Sequence, residues 1–186
     1  MEQSERLLLV PGGYPLWIDV PQASIDGVAT AMRFELPLHG HNLPLMHRRE
    51  SKWVVALKGE LEVRTGRQRQ VLLREGEAVK LQAGTAHRIH QHGAHPSTVG
   101  IVLWPGAVEQ AFRELAALAA SPRFAREAMV DILDRYAVVW TNRAHEGGSQ
   151  HFDVRTLGEC LETLAPQIAQ PLMLKWTTPA LLNPTA

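Results

Sequence analysis

The first hundred or so residues alternate short apolar runs with turn signals that contain glycine or proline. In the middle of this region Leu61 and Val63 alternate with the charged residues Glu60 and Glu62, which is the period of a strand with one buried face. The remaining runs are equally short and regularly spaced. This pattern predicts an all-β sandwich or barrel for residues 1–105.

The pattern changes after residue 105, where apolar residues begin to recur every three or four positions. Ser121 and Pro122 predict the start of a second helix, and Thr156 with Glu159 forms a capping-box pattern for a later one. The apolar face of the first predicted helix consists of Val108, Phe112, Leu115 and Leu118.

Residues 106–186 are therefore predicted to be a helical C-terminal extension that packs on the barrel or on a partner subunit. Within it, residues 141–155 are predicted to form a surface loop, because they contain the run Glu146-Gly147-Gly148-Ser149. The last dozen residues show no period, which is typical of an arm or a frayed end.

Composition excludes several classes of partner. The chain has 19 basic and 19 acidic residues, so its formal net charge is zero and it lacks the basic excess typical of nucleic-acid binding. No apolar run approaches the length of a membrane span. Cys160 is the single cysteine, which excludes an intramolecular disulfide and favours a reducing compartment. We expect a cytoplasmic protein without nucleic-acid or membrane partners.

Residues 76–91, GEAVKLQAGTAHRIHQ, resemble the second conserved motif of the cupin superfamily, G-x5-P-x-G-x2-H-x3-N. Gly76, Gly84 and His87 match in register, whereas Gln91 replaces the usual asparagine and the residue at position 82 is glutamine instead of proline. The glycines suit tight turns at strand ends, where a positive φ or a close backbone approach is needed.

The first cupin motif, G-x5-H-x-H-x3-E-x6-G, has the same spacing as the segment bounded by Gly40 and Gly59. The resemblance therefore covers roughly residues 30–103. It implies a mainly β fold, a jelly-roll barrel with a pocket at one end, followed here by the helical segment.

In metal-binding cupins two histidines and a glutamate of the first motif join the histidine of the second around a divalent cation. In this register those first three positions hold Met46, Arg48 and Lys52, so only His87 remains. A thioether and two cations oppose the binding of a divalent metal. We favour a site without a metal.

An alternative register stays open, because a one-residue slip exchanges the two faces of a strand. A bulge near Pro44 would bring His47 inward, and His47, Glu50 and His87 would then form a two-histidine, one-carboxylate set. Such a set suits a divalent transition metal such as Fe, Ni, Mn or Zn. His41 or His90 would be the nearest additional ligands.

The predicted pocket combines a proton-transfer group with a cation. His87 is the candidate acid or base, and Arg48 or Lys52 is expected to point inward, where a buried cation requires an anionic partner such as a substrate carboxylate. The pocket wall is expected to include Met46, Trp53, Val55 and Gln91.

The resemblance implies several activities, since single-barrel cupins include isomerases, epimerases, cyclases, lyases and dioxygenases. We favour an enzyme that acts on an anionic small molecule through His-mediated acid–base chemistry. A non-catalytic ligand-binding or sensor protein and a metal-dependent enzyme using His47 and His87 are the alternatives. We also expect a homodimer, because single-barrel cupins often pair.

Overall fold

The computed structural model describes residues 4–66, 69–141 and 152–178. Within these ranges the chain forms two antiparallel sheets whose inner faces share one core. The strands are β1 (Glu5–Leu8), β2 (Pro15–Val20), β3 (Thr30–Leu36), β4 (Leu45–His47), β5 (Ser51–Lys58), β6 (Glu60–Thr65), β7 (Arg69–Leu73), β8 (Glu77–Leu81), β9 (His87–His92), β10 (Ser97–Trp104), β11 (Val138–Trp140) and β12 (Val154–Thr156). The helices are α1 (Val108–Ala119), α2 (Arg126–Arg135), α3 (Leu157–Glu162) and α4 (Pro166–Thr177).

The two sheets differ in the number of their strands. The larger has the strand order β1-β2-β3-β10-β5-β8-β12, and the smaller has the order β11-β4-β9-β6-β7. No helix within the described ranges is long and apolar enough to cross a membrane. The fold is mainly β with helices in the C-terminal part, as the sequence predicts.

Strand β5 lies near the middle of the larger sheet and separates two hydrophobic cores. Val54 and Ala56 belong to the core between the sheets, and Lys52 lies on the same side. Trp53 and Val55 alternate with them and belong to a second core on the outer face. This alternation decides which side chains can reach the interior of the barrel.

Helices α3 and α4 cover the outer face of the larger sheet. Ile168, Leu172 and Trp176 of α4 are buried there in the same cluster as Trp53. The Trp176 indole Nε1 also donates a hydrogen bond to a carboxylate oxygen of Asp19 on β2, at 2.8 Å. A buried helix face and a satisfied indole together hold α4 against the sheet.

Helix α1 contributes to the inner core, because Phe112 and Leu115 of this helix are buried in it. Its anchor to the larger sheet is Glu109, which is 1% exposed. One Glu109 oxygen accepts hydrogen bonds from the Thr30 hydroxyl at 2.6 Å and from the Gln22 backbone N–H at 2.7 Å. The buried carboxylate therefore fixes the helix that closes one side of the interior.

The C-terminal part differs from the sequence prediction in two respects. Strands β11 and β12 extend the two sheets by pairing with β4 and β8, where the sequence predicts only helices and a loop. Helix α2 begins at Arg126 instead of Pro122, because Ser121 caps only a turn, in which its hydroxyl accepts from the Arg123 N–H at 3.1 Å. Most of the loop predicted at 141–155 and most of the predicted C-terminal arm lie outside the described residues.

Two of the motif glycines have the backbone conformation expected of them. Gly59, between β5 and β6, has φ 72°, and Gly84, between β8 and β9, has φ 78°. A side chain at Gly59 would also meet the Ser97 hydroxyl oxygen at 2.8 Å from its Cβ. These turns bring β5 and β9, the two strands that carry the site, back into the barrel at a fixed register.

Candidate functional site

A cavity of about 250 Å³ lies inside the barrel, between the two sheets and helix α1. Its wall is mostly aliphatic and aromatic, and the polar side chains in it come from a few positions. The buried part of the wall consists of Leu16, Met32, Phe34, Leu45, His47, Lys52, Ile101, Leu103 and Phe112. The half-buried or exposed part, which forms the mouth, consists of Leu9, Val10, Gly13, Tyr14, His41, Asn42 and Leu43.

Lys52 is the charged group in this cavity. It is only 4% exposed, and it enters from β5 between the apolar neighbours Leu81 on β8 and Leu103 on β10. Its Nζ lies 3.1 Å from His87 Nε2. Among the described residues no carboxylate forms an ion pair with Lys52. Burial lowers the pKa of Lys52 from 10.5 to about 7, while the charge of Glu50 acts in the opposite direction.

His87 is held in one tautomer by the backbone. Its Nδ1 lies 3.0 Å from the Thr85 carbonyl oxygen, which can only accept, so Nδ1 carries the proton. Nε2 is then a lone-pair acceptor for the amine of Lys52. Burial, and next the charge of Lys52, lower the pKa of His87 from 6.5 to about 3. The imidazole is therefore neutral near pH 7 and available as a base.

His47 and Glu50 form a second buried polar pair next to the first. They are 3% and 2% exposed, and His47 Nδ1 lies 3.8 Å from Glu50 Oε2, too far for a direct hydrogen bond. Neither atom has another partner among the described residues. Burial lowers the pKa of His47 well below its usual value and raises that of Glu50. The His47 and His87 ring centroids lie 6.3 Å apart.

The donors around the cavity do not fit a divalent metal of the kind bound by many cupins. His87 Nε2, the nitrogen that would have to bind the ion, is engaged by the amine of Lys52. Within the described ranges no three His, Cys, Asp or Glu side chains are placed to share one ion, so His47, Glu50 and His87 do not form the alternative set. The preference for a site without a metal stays a prediction.

The histidines His41 and His90 do not complete such a set either. They pair through an isolated β-bridge, with ring centroids 5.5 Å apart at the surface. His41 lines the mouth of the cavity, whereas His90 does not.

The structure places two of the three predicted catalytic residues together and removes the third. Lys52 and His87 are in contact inside the barrel. Of the two alternatives for an inward cation, the structure has Lys52 and not Arg48. The Arg48 side chain is exposed, and its backbone N–H donates to the Ala137 carbonyl at 3.0 Å. His47, one position before it, takes the buried place instead. The roles of Lys52 and His87 stay predictions.

The four residues predicted for the pocket wall lie elsewhere. Trp53 and Val55 face the outer core, because they alternate with Lys52 along β5. Met46 is half-buried and does not reach the cavity. Gln91 is buried but structural, since its side-chain amide donates to the backbone carbonyls of His92, Gly93 and His95 and its oxygen accepts from the His39 N–H.

Several cavity residues were missed by the sequence analysis. Phe112 was assigned only to a helix face, although its ring lies edge-on to His47 at 6.3 Å between centroids. Tyr14 and Asn42 belong to the mouth, and Tyr14 stacks on Phe34 at 5.3 Å. The alternation in β2 and β3 identifies Leu16, Met32 and Phe34 as one inward-facing set, but no motif marks them as cavity wall.

Comparison with known proteins supports a family for the barrel and nothing more specific. The family model described as "Cupin domain" matches residues 32–104. No curated protein matches the chain significantly. These results concern the barrel, which carries both Lys52 and His87.

Solved structures resemble the chain only distantly. A predicted oxalate decarboxylase from Thermotoga maritima is 20% identical, with 55% of this chain and 91% of that one covered and a TM-score of 0.47. An uncharacterised Klebsiella pneumoniae protein with a double-stranded β-helix domain is 16% identical, with 51% and 79% covered and a TM-score of 0.46. The chain covers only 28% of a Bacillus subtilis oxalate decarboxylase variant, at 16% identity and a TM-score of 0.46.

Likenesses this weak say nothing about the reaction. The family assignment rests instead on the matched barrel, on the motif glycines and on the two facing antiparallel sheets. Residues 32–104 match the cupin domain model, so the barrel of this chain is a cupin domain.

Proposed function

We propose that the chain is a small-molecule enzyme of the cupin type, whose ligand is compact, mainly apolar and anchored by one carboxylate or carbonyl group at Lys52. The observation that carries this proposal is Lys52, which lines an apolar cavity of about 250 Å³ and whose Nζ lies 3.1 Å from Nε2 of the buried His87. Pockets that bind small molecules share this composition, an apolar wall with few polar groups that orient the ligand.

The cavity supports one anchoring group instead of several. Of the three basic residues in the stretch from position 48 to 52, Arg48 and Arg49 are exposed and only Lys52 is buried. The expected anionic ligand is therefore a molecule with a single acidic group and an apolar body. A sugar phosphate or a polycarboxylate would leave charged groups unpaired against aliphatic wall.

The chemistry proposed is proton transfer next to the anchored group. A charged Lys52 stabilises negative charge on a carboxylate or enolate oxygen, and neutral His87 accepts a proton at Nε2 once the ligand draws Lys52 away from it. Near pH 7 His87 is neutral, because its pKa is lowered to about 3, and about half of Lys52 is charged, because its pKa is about 7.

Binding is tested by thermal shift with matched ligands. Hexanoate and benzoate should raise Tm by several degrees at concentrations near 100 times Kd, since such saturation contributes about 2.7 kcal/mol. Hexanol and hexylamine, which lack the acidic group, should give a much smaller shift. Lys52→Met should remove the carboxylate shift, whereas Lys58→Met, a change at an exposed position on the same strand, should not.

Turnover is tested separately, because the same cavity also suits a non-catalytic binding protein. In deuterium oxide the chain should exchange the C3 protons of a bound apolar 2-oxo acid, which proton NMR detects as signal loss. His87→Gln should abolish the exchange while retaining binding. Tight binding without exchange would favour the ligand-binding alternative over the enzyme.

A further inference from the structure

We propose that Lys52 is a nucleophilic amine that forms an imine with aldehydes or ketones, so that the substrate class of the cavity is carbonyl compounds. This inference rests on the proposed function, since it specifies what the anchoring group of the ligand is and what Lys52 does with it. It requires a reachable amine, a base beside it and a site from which water is excluded.

The amine is reachable only from the cavity. Lys52 is 4% exposed and lines the same space as Leu45, Ile101 and Leu103. These neighbours offer no hydrogen bond, so the side of the amine that faces the cavity is available to a ligand. An imine formed in this place is surrounded by apolar wall, which limits the water available to hydrolyse it.

Among the described residues, the charged and titratable groups around Lys52 do not hold its amine in a salt bridge. His47 on β4, Glu50 in the following turn and His87 on β9 are the groups that interact with it, while the facing positions on β8 and β10 are leucines. The contact in hydrogen-bond range is His87 Nε2, a neutral acceptor. No salt bridge has to be broken before the nitrogen can attack.

The state of the amine agrees with this geometry. Burial lowers the pKa of Lys52 to about 7, so the uncharged form is well populated at neutral pH. Desolvation in an apolar pocket is one of the recognised ways to activate a lysine for attack on a carbonyl group.

The reaction balances without an added oxidant or reductant. The Lys52 Nζ lone pair adds to the carbonyl carbon, and the proton lost from nitrogen passes through His87 Nε2 to the former carbonyl oxygen, giving a carbinolamine. A second proton from nitrogen leaves with the hydroxyl group as water while the C=N bond forms. The net change is carbonyl compound plus amine to imine plus water, with His87 regenerated.

The inference is tested by reductive trapping on the full-length chain. The chain contains only four lysines, Lys52, Lys58, Lys80 and Lys175, so each can be followed by peptide mapping. Incubation with hexanal or benzaldehyde and sodium cyanoborohydride, which delivers hydride to the imine carbon, should give one secondary-amine adduct on the Lys52 peptide. At pH 7 we expect it to form at least tenfold faster than the adduct at exposed Lys58.

Variants and competition complete the test. Lys52→Met should lose the fast adduct, Lys58→Met should retain it, and hexanoate should slow it by occupying the cavity. Trapping at Lys52 should rise between pH 6 and pH 8 and then level off. Adducts spread over the other lysines without excess at Lys52, or an unchanged fast adduct in Lys52→Met, would overturn the proposal.

The two proposals fail in different ways. If carboxylates bind in a Lys52-dependent manner but no carbonyl compound is trapped, the imine inference is wrong and the proposed function stands. If neither class of ligand binds the cavity, both are wrong.

Discussion

Lys52 and Lys80 lie on paired strands of one sheet but on opposite faces. In the pairing of β5 with β8, Lys52 is opposite Leu81, and Trp53 is opposite Lys80. Lys80 Nζ lies 5.2 Å from the ring centroid of Trp104, in an outer groove of about 320 Å³. Lys52 instead lies in an apolar cavity with one imidazole nitrogen in hydrogen-bond range.

The difference shows how one step along a strand changes what a lysine does. On the outer face the cations rest on aromatic rings, since Arg155 likewise lies over Trp53 at 5.9 Å. Such contacts keep a charged group near water and add modest stability. On the inner face the charge is desolvated, which costs stability and makes the nitrogen chemically available. The outer face is therefore structural, and the inner face is where function is expected.

The largest effect on stability should come from removing a buried side chain that packs on the outer face of the larger sheet. Trp176→Ala removes a buried indole and its hydrogen bond to Asp19, so we expect a loss of about 3–5 kcal/mol in the free energy of unfolding. Urea titration measures this loss. Binding of hexanoate should be unchanged at temperatures where the variant is folded, because Trp176 lies in the other core. A parallel loss of affinity would contradict the separation of the two faces.

The second effect is a pH dependence of carboxylate binding at Lys52, on the inner face of the larger sheet. A carboxylate binds the protonated form of Lys52, whose pKa is about 7, so affinity should be full below that pH and fall as the pH rises through it. The limiting slope is about tenfold per pH unit, or about 1.4 kcal/mol. Calorimetric titration of hexanoate between pH 6 and pH 9 measures it.

Two observations check the origin of that dependence. Binding of a carboxylate raises the pKa of Lys52. Above pH 7 the binding of hexanoate should therefore be accompanied by uptake of a proton at Lys52, which calorimetry in buffers of different ionisation enthalpy detects. Hexanol, which carries no charge, should show neither proton uptake nor a fall in affinity. Carboxylate binding that is independent of pH over this range would place the anchor at another group.

The third effect is a gain in stability when the buried lysine is removed. Depressing the pKa of Lys52 from 10.5 to about 7 costs the fold up to about 5 kcal/mol below pH 7. Lys52→Met removes this cost but leaves His87 Nε2 without a partner, which costs about 1–3 kcal/mol. We expect a net gain of about 2 kcal/mol at pH 7, measured by urea unfolding.

The sign of this gain follows from linkage. Between pH 7 and 10.5 the unfolded chain binds a proton at Lys52 that the folded chain does not, so the stability of the unmodified protein rises with pH in that window. The advantage of Lys52→Met should therefore shrink from pH 7 to pH 10. Lys80→Met on the outer face should change stability by less than about 0.5 kcal/mol. A destabilised Lys52→Met protein would mean that the lysine has a structural partner.

The barrel could be predicted because its signals are local. Glycines at strand ends and the two-residue alternation in β6 fix turns and faces without reference to distant residues. Strands β11 and β12 could not be predicted in this way. Each has three residues and exists because it pairs with β4 or β8, which are far away in the sequence.

The site was only partly predictable, because the inward-facing residues switch from odd to even positions between β4 and β5. His47 ends β4 and Lys52 is the second residue of β5, with three residues between the strands that belong to neither. Because this break shifts the alternation, an odd and an even position both face inward. The motif spacing offered Arg48 or Lys52 as the inward cation and could not choose between them; in the structure Lys52 is buried and Arg48 is exposed. Trp53 could have been excluded from the sequence alone, since it is adjacent to Lys52 in a strand.

The smallest effect concerns Glu50, which adjusts the inner lysine without touching it through an ion pair. Its charge raises the pKa of Lys52, so Glu50→Gln should lower that pKa and shift the pH midpoint of hexanoate binding downward. Glu35→Gln, at an exposed position on β3, is the matched control and should leave the midpoint unchanged. An unshifted midpoint in Glu50→Gln would mean that Glu50 is already protonated in the folded protein, in keeping with the direction in which burial moves its own pKa. Lys52 would then owe its state to desolvation alone.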